Sequence, residues 1–217
     1  MYRQNAWKKH AKKLDKVMEF AEGYKHYISE GKTERLAVIE GIKILEKAGF
    51  KPIDSFKKLK AGDKVYYSNR EKTLFMAVIG DDDMVDGINA VGAHIDSPRL
   101  DLKPNPLYES DGMALLKTHY YGGIKKYQWT TIPLSIHGVV VKEDGEKVAV
   151  SIGEDEDEPV FCITDLLPHL AREQSDKKLR EAITGEELNV LFGGIPYEDK
   201  KVKDKVKLNI LSILNEK

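Results

Sequence analysis

Apolar positions recur three or four residues apart over the first fifty residues, then give way to continuous and alternating runs. From residue 7 to about 29, Leu14, Val17, Met18, Ala21 and Tyr24 keep helical spacing, and Glu30-Gly31-Lys32 closes the stretch. This predicts an amphipathic helix. Thr33 is placed to cap a second helix, in which Leu36, Ile39, Ile42 and Leu45 recur every third residue with Val38 beside them. Gly49 supplies the stop. Both helices are expected to lie against a sheet.

The period then changes. Residues 64–67 form a short strand candidate, while 73–79 (TLFMAVI) and 88–95 (INAVGAHI) are nearly continuous apolar runs joined by Gly80-Asp81-Asp82-Asp83. Such runs suit strands covered on both faces and predict the start of an α/β domain. Past Arg99 come short strand candidates at 100–107, 114–121, 128–131, 134–142, 147–152 and 160–164. Turn signals part them: Pro104-Asn105-Pro106, Asp111-Gly112, Gly122-Gly123 and Asp144-Gly145. The last is a strong hairpin signal. An antiparallel β module is therefore expected from about 103 to 164. A helical patch follows over 165–191, stopping and restarting at Ile183-Thr184-Gly185-Glu186-Glu187. A final amphipathic helix over 203–214 carries Val206, Leu208, Ile210, Leu211 and Leu214. The acidic run at 154–158 is expected to be a solvated loop.

Composition narrows the functional classes. The chain has 217 residues, 41% of them hydrophobic, enough for a packed core. Its 35 basic and 36 acidic residues leave a net charge of −1, which argues against a dedicated nucleic-acid binder. The single cysteine, Cys162, sits in Val160-Phe161-Cys162-Ile163 and can build neither an intrachain disulfide nor a thiolate zinc site. There is no apolar run of membrane-spanning length and no secretory signal pattern, so a reducing cytoplasm is the expected home.

The sharpest chemical feature is Ala93-His94-Ile95-Asp96-Ser97-Pro98. It lies at the C-terminal end of an expected strand, where α/β sheets present their ligands. Alternation would place His94 and Asp96 on one face. A neutral imidazole can ligate a divalent metal, and a nearby carboxylate fixes its tautomer and raises its basicity. Alone, a His-x-Asp pair is a weak signal and is more often a satisfied core histidine beside a carboxylate.

Longer motifs extend this reading. Val91-Gly92-Ala93-His94-Ile95-Asp96-Ser97-Pro98-Arg99-Leu100-Asp101-Leu102-Lys103-Pro104 resembles the first metal motif of the M18 aminopeptidases, the aspartyl-aminopeptidase family. His119-Tyr120-Tyr121-Gly122-Gly123-Ile124-Lys125-Lys126-Tyr127-Gln128-Trp129 and Ile132-Pro133-Leu134-Ser135-Ile136-His137-Gly138 resemble the same family's β-domain signature. Lys32-Thr33-Glu34-Arg35 and residues 182–191 are similar to its clostridial-type bacterial branch. The resemblance runs from about Trp7 to the last residue and covers the N-terminal portion of such enzymes.

It implies a partial zinc-exopeptidase α/β domain with an inserted antiparallel β domain of dimerisation type. The implied boundaries are 1–102 for the catalytic part, 103–195 for the inserted oligomerisation or lid domain, and 196–217 for a segment returning to the catalytic domain. The implied activity is removal of N-terminal, possibly acidic, residues from peptides. Two zinc ions would act in the complete enzyme, with His94 as a metal ligand and Asp96 orienting its ring. His119 would touch substrate across a subunit interface of a homo-oligomer. A bridging Asp, a Glu pair, a further Asp and a final His complete the family's site, and this sequence lacks those motifs. Glu186-Glu187 matches a non-metal segment of the family. One histidine cannot hold a catalytic zinc, which usually needs three protein ligands. The alternative is a catalytically inactive truncated homologue acting as an oligomerisation or interaction protein.

Overall fold

The computed structural model describes residues 3–198 and 202–216. The chain divides between Ser97 and Pro98 into two units, each with its own elements.

The first unit begins with α1 (Ala6–Lys9), capped by the Asn5 side chain, which accepts from Trp7 N at 2.9 Å. A 3-10 turn (Ala11–Lys13) leads into α2 (Leu14–Glu30). The single helix expected from residue 7 is therefore broken, with His10 at φ −110°, ψ 16°. Lys8, Lys9, Lys12, Lys13 and Lys16 crowd this stretch. Their mutual repulsion opposes a continuous helix, as does the positive end of the helix dipole. Helix α2 buries none of its side chains, so the expectation that it lies against a sheet is corrected. It meets α3 (Glu34–Lys47) at its far end, where the Tyr27 hydroxyl donates to the Ala37 carbonyl at 3.4 Å. Thr33 caps α3 as expected, accepting from Leu36 N at 3.3 Å. Helix α3 buries Ala37, Val38 and Leu45.

Strand β1 (Lys51–Pro52) runs parallel to β2 (Lys64–Asn69), which pairs antiparallel with β3 (Thr73–Val78) in the order β1-β2-β3. Helix α3 packs on β2 and β3. A Cβ on Gly41 would fall 2.8 Å from the Leu74 side chain. The Tyr66 hydroxyl ties the sheet to α3 by donating to Glu46 at 2.9 Å. Two expectations fail in this unit. Strand β3 is not covered on both faces: Phe75 is 59% exposed, and Met76 and Val78 are also exposed. Residues 88–95 form no strand, and Val91 is fully exposed. An apolar run becomes a strand only when a neighbour takes its N–H and C=O groups. Among the described residues no strand pairs with it.

The second unit holds an antiparallel sheet of β4 (Arg99–Ser110), β5 (Met113–Tyr121) and β8 (Val190–Gly193), in the order β4-β5-β8. The β4–β5 register shifts between Leu102 and Leu107. Pro104 and Pro106 bring no N–H to the ladder there, and Asn105 turns to φ 54°. Strands β6 (Ile136–Val141) and β7 (Lys147–Ile152) form the expected hairpin, with Gly145 at φ 87° in its turn. The core gathers Leu116, Phe161, Ile163, Ile183, Leu188 and Val190, with Trp129, Ile136 and Ile152 packed against it. The buried Thr118 hydroxyl donates to the Leu188 carbonyl. Helix α6 (Lys205–Glu216) adds Val206 and Ile210 against Ala114.

Three strand and helix expectations need adjusting here. Residues 126–128 form a 3-10 turn in place of a strand start. Residues 160–164 contribute only single bridges, Leu134 with Phe161, Thr130 with Ile163, and Cys162 with Leu191. The helical patch shrinks to α4 (Arg172–Ser175), α5 (Leu179–Ala182) and a 3-10 turn (Gly185–Glu187), and its end is strand β8. Gly185 interrupts the run, and Val190-Leu191-Phe192 has the branched and aromatic side chains that suit a pleated surface. Among the described residues no helix is long and apolar enough to cross a membrane.

Candidate functional site

His94 and Asp96 stand on a segment without helix or strand at the end of the first unit. The His94 Nδ1 lies 3.0 Å from the Asp96 backbone carbonyl and 3.4 Å from its Oδ1. A carbonyl only accepts, so that hydrogen bond calls for a proton on Nδ1. In the neutral ring this leaves the Nε2 lone pair available. The His94 side chain is 85% exposed and Asp96 40%, so the ring stands clear of the apolar interior. A ligating imidazole is held in this way, with one nitrogen fixed and the other open.

The residues present do not make a complete zinc site. Among the described residues no group of three or more His, Cys, Asp or Glu could hold a metal ion. No hydrolytic step follows from His94 alone.

His119 lies on β5 opposite Asp101, exposed, its ring stacked on Tyr120 with centroids 5.5 Å apart. Beside it Glu186 binds Lys103 at 2.8 and 2.9 Å. The Lys103 ammonium, with smaller help from Lys117 and His119, holds the Glu186 carboxyl below its ordinary range. Glu187 accepts from Thr184 N at 2.6 Å, and bonding from that backbone N–H, then from the Thr184 hydroxyl, lowers its carboxyl too. The Glu pair therefore closes a turn and an ion pair, in keeping with its non-metal reading. Tyr127 and Trp129 pack on the core. Tyr120 and Tyr121 carry cations over their rings, Lys126 at 5.5 Å and Arg99 at 4.1 Å. Gly122, at φ 81° against Pro98, is a turn.

One cluster escaped the sequence reading. The His137 Nε2 lies 3.0 Å from Ser135 Oγ and 2.7 Å from Glu154 Oε1. Glu158 Oε2 accepts from Gly153 N at 2.7 Å and Glu154 N at 3.1 Å. The acidic run is an exposed loop, as expected, with the Glu154 and Glu158 carboxylates tied back to the end of the hairpin. The available signal was the Ser-x-His alternation in β6, with the Asp144-Gly145 turn fixing which residues of the return strand come alongside.

The profile described as "Aminopeptidase I zinc metalloprotease (M18)" matches residues 27–217. The chain belongs to the M18 aminopeptidase family. It is 53% identical to a probable M18 family aminopeptidase 1 of Clostridium acetobutylicum over 219 residues, which cover 99% of this chain and 47% of that one. The corresponding protein of Thermotoga maritima is 48% identical, with 100% of this chain and 47% of that one covered. The crystal structure of the Thermotoga maritima M18 aminopeptidase superposes with a TM-score of 0.92 at 47% identity, covering 100% of this chain and 47% of that chain. Aminopeptidase I of Clostridium acetobutylicum superposes with a TM-score of 0.87 at 48% identity, again over 100% of this chain and 49% of that one. This M18 chain spans about half the length of the curated relatives it matches.

Proposed function

We propose that this chain is the N-terminal part of a metallo-aminopeptidase that removes N-terminal residues, acidic ones among them, from peptides. The observation that carries the reading is the His94 imidazole, fixed at Nδ1 by the Asp96 carbonyl and exposed at its other edge. His94 supplies one metal ligand and Asp96 orients it. The remaining donors and the general base come from polypeptide beyond the residues present here. His94 would hold a zinc ion only together with donors from the rest of the enzyme, and the chemistry such an ion would supply is Lewis-acid activation of water and of the scissile carbonyl. The region 103–195 serves as the inserted domain through which copies assemble, and exposed His119 meets substrate at a neighbouring subunit's site. Family membership and the order of the motifs support these roles.

The test uses the completed enzyme, with the missing half fused or co-expressed. His94→Ala is expected to abolish turnover while leaving far-UV circular dichroism unchanged. Asp96→Asn removes the carboxylate 3.4 Å from His94 Nδ1 and leaves the backbone carbonyl that holds the ring, so it is expected to weaken metal affinity by only about 10-fold. A His94→Ala enzyme with normal turnover removes His94 from the ligand set. Near-stoichiometric zinc together with peptidase activity in the 217-residue chain alone would refute the incompleteness of the site.

A further inference from the structure

The exposed His119 imidazole has little to fix its direction. Among the described residues neither ring nitrogen makes a hydrogen bond, and the ring is held by its stack on Tyr120, with centroids 5.5 Å and planes 23° apart. Exposed side chains otherwise exchange rotamers freely and fast. What holds Tyr120 therefore decides where His119 points.

Tyr120 lies against the turn that follows α5. Its ring packs on the backbone of Gly185, where a Cβ would stand 2.8 Å from Tyr120 Cε1 and 3.2 Å from Cδ1. Carbon atoms in contact stay about 3.5–4.0 Å apart. Gly185 is not at positive φ, so it is the close approach of the ring, and not the backbone conformation, that calls for glycine. The Lys126 ammonium, 5.5 Å from the ring centroid, adds a second hold on Tyr120.

The turn itself is tied down on both sides. Thr184 N donates to Glu187 at 2.6 Å, and Glu186 binds Lys103 of β4 at 2.8 and 2.9 Å. The Leu188 carbonyl accepts from the Thr118 hydroxyl, two residues before Tyr120 on β5. A side chain at position 185 would therefore displace the ring rather than the turn, by about 1 Å to regain ordinary contact.

We propose that Gly185 is a positioning residue for His119: by lacking a side chain it lets Tyr120 lie flat on the turn, and Tyr120 holds the imidazole in the direction in which it meets substrate. The proposal rests on the reading that His119 meets substrate at a neighbouring subunit's site.

Two measurements separate the proposal from that reading. In the full chain, His119→Gln assigns the His119 Cε1–Hε1 cross-peak by NMR among those of the six histidines. Gly185→Ala is expected to move that peak and leave the other histidines in place. Tyr120→Leu, which deletes the stacked ring without crowding the turn, is expected to move it as well. A His119 peak unmoved by either change overturns the proposal. In the completed enzyme, Gly185→Ala is expected to lower kcat/KM about 10-fold, since a misplacement of about 1 Å can cost up to about 100-fold. Tyr120→Leu is expected to lose as much, and adding Gly185→Ala to it to cost less than about twofold more, because both act through one ring. Losses that multiply overturn the proposal. An unchanged kcat/KM in His119→Ala overturns the substrate reading beneath it, whatever the NMR shows.

Discussion

Replacing Leu188 by alanine tests the core of the second unit directly. Leu188 is 0% exposed and packs with Leu116, Phe161, Ile163, Ile183 and Val190. Its backbone carbonyl is held by the Thr118 hydroxyl, so the segment cannot simply slide to fill the gap. The change deletes three carbons, worth about 2.4 kcal/mol at roughly 0.8 kcal/mol each. A residual cavity raises the expected loss to about 3–4 kcal/mol. For a unit of this size that lowers Tm by about 10–15 °C. Trp129 packs against the same cluster, so its fluorescence in a Trp7→Phe background follows this core and nothing else. Urea titrations of the two proteins give the difference. Val91→Ala, at a fully exposed apolar position, is the control and should change stability by no more than about 0.5 kcal/mol. A Leu188→Ala loss below about 1 kcal/mol would refute the assignment of Leu188 to the centre of the core.

Two further substitutions probe the turns around the same unit. Glu187 has its carboxyl held below the ordinary 4.5 by Thr184. Its contribution is therefore present above that value and is lost as pH falls through the depressed one. Glu187→Gln should flatten the fall of the urea midpoint between about pH 6 and 3, and an unchanged acid limb would sink this account. Gly153→Ala forces a side chain onto φ 98°, with its Cβ 3.2 Å from the Pro159 carbonyl and 3.3 Å from that of Leu134. A loss of about 1–3 kcal/mol is expected by thermal melting, and a neutral result would show that the hairpin end yields easily.

The parts of the fold legible in the sequence are those fixed by local chemistry. Thr33 caps α3 because a hydroxyl can take an orphan amide at a helix start, and Asp144-Gly145 turns the β6–β7 hairpin because glycine tolerates positive φ. The nearness of His94 and Asp96 follows from two-residue spacing in an extended chain. What escaped depends on partners far away in sequence. Residues 88–95 have a strand's composition, yet nothing among the described residues pairs with them. Val190 and Leu191 fall at the end of the expected helical patch, and it is pairing with the distant β5 that makes them a strand. The link from His137 to Glu154 spans a hairpin, and the stripe on α2 gave a periodicity without saying what lies over it.

The free side of β3 has a practical consequence for handling this polypeptide. From Leu74 to Ile79 no charged or proline residue interrupts the sequence, and Phe75, Met76 and Val78 face solvent. Natural sheets usually guard such a border with lysine, proline or a bulge, since bare amides and carbonyls recruit any strand that drifts past. Here the border is undefended. At high concentration or on warming, the isolated chain is expected to precipitate through cross-molecular β stacking, and a single lysine at Phe75 or Ala77 should keep it in solution.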